Sequence, residues 1–251
     1  MKLIPIFIIF LLLPTIVFAD AKSDYDYQYT RYRDSYQEFI IFKKDYLDTP
    51  SLDNQQKVLL SLKQSLVSRD LAKSSLAWYL SDLINLNKVK YKPLDPILTM
   101  LSDARLYYLA KANEAQTVVT LSNLKEYDKS YLETSTNPER ALRFGIMAHK
   151  LAKLVYIQEE SLKAYQSLKY KLPDNVSIRV QERLVDLESD WQAINQKIDE
   201  IGSYLLSKEG QESVDSPVFF SGKVEKFIEI RELQITWIDK LIDLDLNYAK
   251  I

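Results

Sequence analysis

The chain has 251 residues, 47% hydrophobic and 27% charged, with a net charge of −2, four glycines, eight prolines, one histidine and no cysteine. Sheets and phosphate-binding loops need glycine at tight turns, so glycine far below the usual ~7% points to an all-α fold and leaves no Gly-x-Gly pair for a P-loop or dinucleotide site. Thiol catalysis, disulfides and two-histidine metal motifs are likewise excluded, and interleaved charge of both signs gives no basic stripe for nucleic acid.

The first element concerns location. From Leu3 to Ala19 no residue is charged, and the run of mostly Leu, Ile, Phe and Val follows Met1 and Lys2. A short basic region, an apolar stretch of this length and the small residues Val17 and Ala19 make up a secretory signal peptide, with cleavage expected after Ala19. Residues 1–19 are therefore expected to be a signal peptide and residues 20–251 a single elongated helical-bundle domain. Its expected place is extracytoplasmic: secreted, periplasmic or at the cell surface. The alternative is a membrane anchor formed by residues 3–19, a run at the lower limit of about 17 residues for a spanning helix. Pro5 and Pro14 favour cleavage over that anchor.

Prolines divide residues 20–251 into six helix-sized segments, with breaks at Pro50, at Pro93 with Pro96, at Pro138, at Pro173 and at Pro217. In the first segment Tyr25, Tyr32, Phe39 and Tyr46 fall seven apart with Tyr29 and Tyr36 between them, a spacing that gives a helix one face for a partner. The second opens at Thr49-Pro50-Ser51 and carries Leu59, Leu62 and Leu66. Arg69 and Lys73 interrupt that stripe before Leu76, Leu80 and Leu83 resume it, which suggests a change of packing partner or a solvated midsection. The third, Ile97 to Thr134, contains β-branched Thr117-Val118-Val119-Thr120 and could split there. Asn137-Pro138-Glu139 places a cap before a proline at the start of the fourth. The fifth has a strict heptad seam: Val180, Leu184, Leu187, Trp191, Ile194, Ile198, Ile201 and Leu205. Ser221-Gly222 opens the last, whose apolar residues spread from Phe227, Ile230, Leu233, Trp237, Leu241, Leu244 and Tyr248 to Ile235, Ile238 and Ile242, so it is expected between two other helices. Helices of about 30 residues are rods of roughly 45 Å, and short connections set neighbours antiparallel. The predicted architecture is an elongated bundle of long antiparallel helical hairpins with coiled-coil-like packing. In shape alone it resembles exported helical-hairpin proteins such as periplasmic chaperones and envelope adaptors.

Few residues suggest chemistry. His149 lies at the edge of an apolar face with no triad partner in evidence, so it reads as structural. Asp243-Leu244-Asp245-Leu246-Asn247 imitates the start of a calcium loop, but Tyr248 replaces the required glycine and the chain ends before the twelfth position. Asn175-Val176-Ser177 fits the glycosylation acceptor pattern. Three residues are candidates for partner contact: Tyr27, which is off the aromatic seam, and Phe219 and Phe220, in an apolar run after the polar stretch from Ser207 to Ser216. The two phenylalanines are expected to cover the end of the bundle as a hydrophobic staple does. No catalytic, cofactor-binding or metal residue is expected. The expected function is that of a non-enzymatic helical interaction protein, a scaffold, adaptor or chaperone-like bundle with a protein partner, no nucleic acid, and membrane contact only if residues 3–19 are retained. The alternative is a small-ligand-binding bundle with a tyrosine-lined pocket.

Overall fold

A computed structural model describes residues 20–86, 88–173, 175–216 and 219–247. The expected signal peptide and Tyr248 lie outside the described residues. In chain order come α1 (Ala21–Asp48), α2 (Leu52–Asn85), a 3-10 turn (Lys92–Leu94), α3 (Asp95–Gln116), α4 (Leu121–Thr134), α5 (Thr136–Lys171), α6 (Ile178–Leu206), α7 (Lys208–Ser213) and α8 (Phe219–Asn247). No strand occurs among them, and the fold is an all-α bundle.

The helix starts follow from capping chemistry. Asp20, Ser51, Thr120 and Ser177 each accept a hydrogen bond from the backbone N–H three residues on, satisfying a group the first turn leaves open. Thr117 to Thr120 do split the third segment, with α3 ending at Gln116 and α4 starting at Leu121. Three boundaries differ from the sequence reading. Asn137 caps nothing: α5 begins at Thr136, and Ser135 before it keeps helical dihedrals without a side-chain cap, so α4 runs into α5 through a bend. Pro138 is tolerated there because its missing N–H falls in a first turn. Part of the polar stretch after Ser207 forms α7, capped by the Ser207 hydroxyl on the Gly210 N–H. Finally, α8 starts at Phe219, so both phenylalanines occupy its first turn rather than a loop.

Paired contacts fix the directions. Asp24 meets Ser75 and Ser35 meets Ser68, so α1 and α2 are antiparallel. The α3 helix returns along α2, with the Arg105 guanidinium over Trp78 and Lys73 over Tyr108. Both α4 and the start of α5 then follow α2 in its own direction, Arg69 and Lys73 reaching Tyr127 and Tyr131 in turn and Lys73 reaching Glu139. Further on, α5 packs against α6 and α8. Gln158 bonds the Trp191 carbonyl and Tyr165 bonds Glu188, antiparallel to α6, while Gln234 bonds the Leu154 carbonyl and Trp237 meets Tyr165, parallel to α8. The α5 helix therefore belongs to two bundles, one with α2, α3 and α4 and one with α6 and α8.

A single apolar cluster runs through both, including Leu80, Leu101, Phe144, Leu151, Leu187 and Ile230. Close packing depends on Gly145, where a Cβ would stand 2.8 Å from Leu101 Cδ2 and 3.0 Å from Leu80 Cδ1. Ala141, Ala148 and Ala152 on the same helix are also buried, so small side chains let its neighbours approach. The α6 seam turns inward as its spacing requires, with Val180, Leu187, Ile194, Ile198, Ile201 and Leu205 buried and Leu184 and Trp191 half-buried.

Candidate functional site

The polar interruption in α2 proves to be a change of partner. Asp70 is fully buried; Arg69 donates Nε to its Oδ1 at 2.9 Å and a terminal nitrogen to the Tyr127 hydroxyl at 2.8 Å, and Tyr127 in turn donates to Asp70. One turn on, Lys73 donates to the Tyr131 hydroxyl at 2.9 Å and to Glu139, and Tyr131 donates to Glu139 Oε1 at 3.0 Å. The Arg69 guanidinium lies 4.1 Å from the centre of the Tyr131 ring. Burial alone would favour a neutral Arg69, but the Asp70 carboxylate outweighs it and holds the guanidinium charged. Burial, and after it the neighbouring carboxylates, push the Tyr108, Tyr127 and Tyr131 hydroxyls far above the ordinary phenol range. Burial would raise the Glu139 carboxyl, yet the bond and charge of Lys73, with Tyr131 and Tyr108, bring it below the usual value. The cluster's chemistry is that of a lock joining α2, α4 and α5.

His149 is half-buried at the α2–α5 contact, and its Nδ1 is buried without a partner among the described residues. Burial, with Lys153 and Lys150, lowers its pKa, and the backbone of Leu83 partly offsets this, so the ring is neutral at neutral pH. Asp243 is engaged by Arg183 at 2.5 Å and by Asn247, and the described residues hold no cluster of three or more His, Asp or Glu placed to bind a metal ion. Asn175 lies in the α5–α6 connection, where Ser177 is occupied as the cap of α6.

The outside of α1 leaves several large apolar side chains uncovered. Its seam onto α2 is Ala21, Tyr25, Gln28, Tyr32, Ser35, Phe39, Phe42 and Tyr46, all buried or half-buried. Tyr29 and Tyr36, expected in that seam, stand outside it and are exposed. The reason is the α2 surface opposite, a row of buried small residues, Ser61, Ser65, Ser68, Ala72 and Ser75, which fixes the register around the Ser35–Ser68 contact of 2.6 Å. Tyr27 is 59% exposed, Ile41 58% and Leu47 67%, and Tyr29, Tyr36 and Ile40 are exposed beside them. Leu52 and Leu60 at the start of α2 are exposed as well. Phe220, by contrast, is partly buried against the main core, and the Phe219 side chain lies outside the described part of the chain.

Several cavities are lined by a tyrosine that the sequence did not single out, Tyr107, Tyr165 or Tyr204. A groove of about 800 Å³ between α3 and the start of α5 is lined by Tyr107, Lys111 and Arg140 together with Met100, Ala104 and Phe144. Lys111 is buried there, held by Glu114 at 2.7 Å and Ser130 at 2.6 Å. A smaller cavity of about 320 Å³ between α5, α6 and α8 is lined by Tyr165, Trp191 and Trp237. No helix among the described residues is long and apolar enough to cross a membrane. Set beside protein-family models, curated proteins and solved structures, the chain matches none of them.

Proposed function

We propose that the chain is an exported, non-enzymatic helical interaction protein of the cell envelope or extracellular space, a scaffold, adaptor or chaperone-like bundle that meets a protein partner through the outside of α1. The observation that carries this reading is the exposure of Tyr27, Ile41 and Leu47, each more than half uncovered on one helix. Large apolar side chains left in water on one helix are candidates for partner contact. The Arg31 guanidinium lies 5.6 Å from the Tyr27 ring centre, an Arg–Tyr pairing of two residue types enriched at interface hot spots. The uncharged run from Leu3 to Ala19 supports export.

Site-specific photo-cross-linking in the native host tests the proposal. A photoreactive residue at Tyr27, Ile41 or Leu47 should give one discrete cross-linked species, and the same residue at Tyr170, which is 92% exposed at the far end of α5, should give none. Equal capture from both places, or none from α1, would overturn the reading. Mass spectrometry of the exported protein should find a terminus at Asp20, or at Lys22 if cleavage follows Ala21; an intact Met1 in a membrane fraction would establish the anchor.

A second reading, a small-ligand-binding bundle with a tyrosine-lined pocket, is supported by the two cavities at Tyr107 and Tyr165. It is compatible with the first, since the cavities and the α1 face do not overlap.

A further inference from the structure

We infer that one flank of α1, beside its contact with α2, is a self-association surface on which a second copy of this chain lays its own α1 in the antiparallel direction. The inference rests on the reading of α1 as a contact helix and names the occupant of the flank to which Leu47 belongs. Spacing defines that flank. One residue beyond each member of the seam onto α2 stand Lys22, Asp26, Tyr29, Arg33, Tyr36, Ile40, Lys43 and Leu47, a second seam with the same alternation of four and three. Every one of them is exposed.

Charge selects the direction of pairing. Laid parallel, two such seams put each residue beside its own copy, so Asp26 meets Asp26, Arg33 meets Arg33 and Lys43 meets Lys43, and each of these layers repels. Laid antiparallel about the middle of the seam, residues equidistant from that middle meet. Asp26 then faces Lys43 of the second copy, a pair of opposite charges, and Arg33 faces the ring of Tyr36, a cation on an aromatic. Tyr29 faces Ile40, and the aliphatic stem of Lys22 covers Leu47 while its ammonium stays in water. Two-fold symmetry makes each of these contacts twice.

The side chains are free to make them. Asp26 is 3.6 Å from Lys22 on its own helix, but both side chains are more than half exposed, and so weak a pair leaves the carboxylate open to a second cation. Tyr29 stacks on Tyr25 at 5.8 Å, and Tyr36 lies 6.0 Å from Tyr32 and 6.2 Å from Phe39 between ring centres. Rings already positioned by neighbours lose little freedom on association. The other flank, one residue before each member of the seam, excludes itself. It carries Asp20, Asp24, Asp34, Glu38 and Asp45 against Arg31 alone, so two copies meeting there would repel.

Sedimentation equilibrium of the full exported chain tests the inference. A seam along one helix is a small interface, so the chain should dimerise with a Kd of about 10–100 μM. Asp26→Lys should weaken the dimer about tenfold, and adding Lys43→Asp to it should restore the affinity to within about twofold. Ile40→Ser should weaken it similarly, with circular dichroism unchanged in all three variants. The chain has no cysteine, so a chain with Asp26→Cys mixed with one carrying Lys43→Cys should form a disulfide-linked pair under mild oxidation. Neither should do so alone, because like positions lie about 25 Å apart along the antiparallel axis. A chain that stays monomeric to about 1 mM would overturn the inference. So would a dimer that ignores both Asp26→Lys and Ile40→Ser. The photo-cross-link from Leu47 then separates the two readings: a species of any mass other than twice that of the chain leaves α1 as a contact helix for another protein, and no species from α1 removes both.

Discussion

α1 and α5 are both long helices with heptad-like spacing, yet they differ in what surrounds them. Of the 36 residues of α5, 14 are buried; of the 28 in α1, Ala21 and Ser35 are. Helices α2, α3, α4, α6 and α8 all pack on α5, so it turns much of its circumference inward. The main neighbour of α1 is α2, which meets it with a surface of serines. Tyr25 stacks on Tyr79 at 5.8 Å, and small polar contacts join the two helices at Ser35 and Asp24. Spacing therefore selects which residues of a helix meet a neighbour, while the number and size of the neighbours set how much stability the meeting yields.

That contrast can be broken by measurement. The largest effect is expected at Phe144, 1% exposed in α5, where Phe144→Ala should cost about 3–5 kcal/mol in a urea titration. A loss below about 1 kcal/mol would mean that α5 is not the centre of the core. The hydroxyl pair on α1 should matter less. Ser35→Ala removes one hydrogen bond to Ser68 and should cost about 0.5–1.5 kcal/mol, with hydrogen exchange faster along α1 and unchanged along α5. Equal acceleration in both helices would show that α1 does not open by itself.

The ionic lock sharpens the comparison through pH. The Glu139 carboxyl has a lower pKa folded than unfolded, so the unfolded chain binds the proton first as pH falls. Its contribution is complete above the ordinary value of 4.5 and is lost as pH falls through the folded value. Glu139→Gln should therefore flatten the stability profile below about pH 5, and a variant that keeps the full acid dependence would place the effect elsewhere. The smallest change is expected at Ile41: Ile41→Ser should alter stability by less than about 0.5 kcal/mol while abolishing the cross-link from Tyr27. A larger loss would show that the outer face of α1 is part of the fold.

The α6 seam was legible because its partners are large, regular and apolar, and its eight heptad residues needed nothing beyond their spacing. The break at Thr117 to Thr120 was legible too, since four β-branched side chains in a row disfavour a continuous helix. The α1 register was harder to see, because its signal is written in serine. Ser61, Ser65, Ser68 and Ser75, with Ala72, carry the same alternation of four and three as a leucine seam, and a reading that follows leucine passes over it. The start of α5 was misplaced because Asn before Pro is a cap only when its own backbone is extended, and Asn137 already lies inside the helix. The cavity at Trp191 could not be read at all: Tyr165, Trp191 and Trp237 stand on three helices, and nothing local brings them together.

The α2–α3 connection carries a further consequence, a mechanical one. Tyr91 lies in a notch on α6 where Gly202 has no side chain, since a Cβ there would stand 2.3 Å from the tyrosine oxygen, and its hydroxyl donates to Asp199 at 3.0 Å. On the other flank Arg140 of α5 grips Asp215 beyond α7. A shaft shared by two bundles lets one twist about the other; fastenings away from its axis remove that rotation. The shaft here is α5, about 54 Å long at 1.5 Å per residue. Tyr91 on Asp199 and Arg140 on Asp215 are two such fastenings, one tying the α2–α3 connection to α6 and the other tying α5 to the chain between α7 and α8.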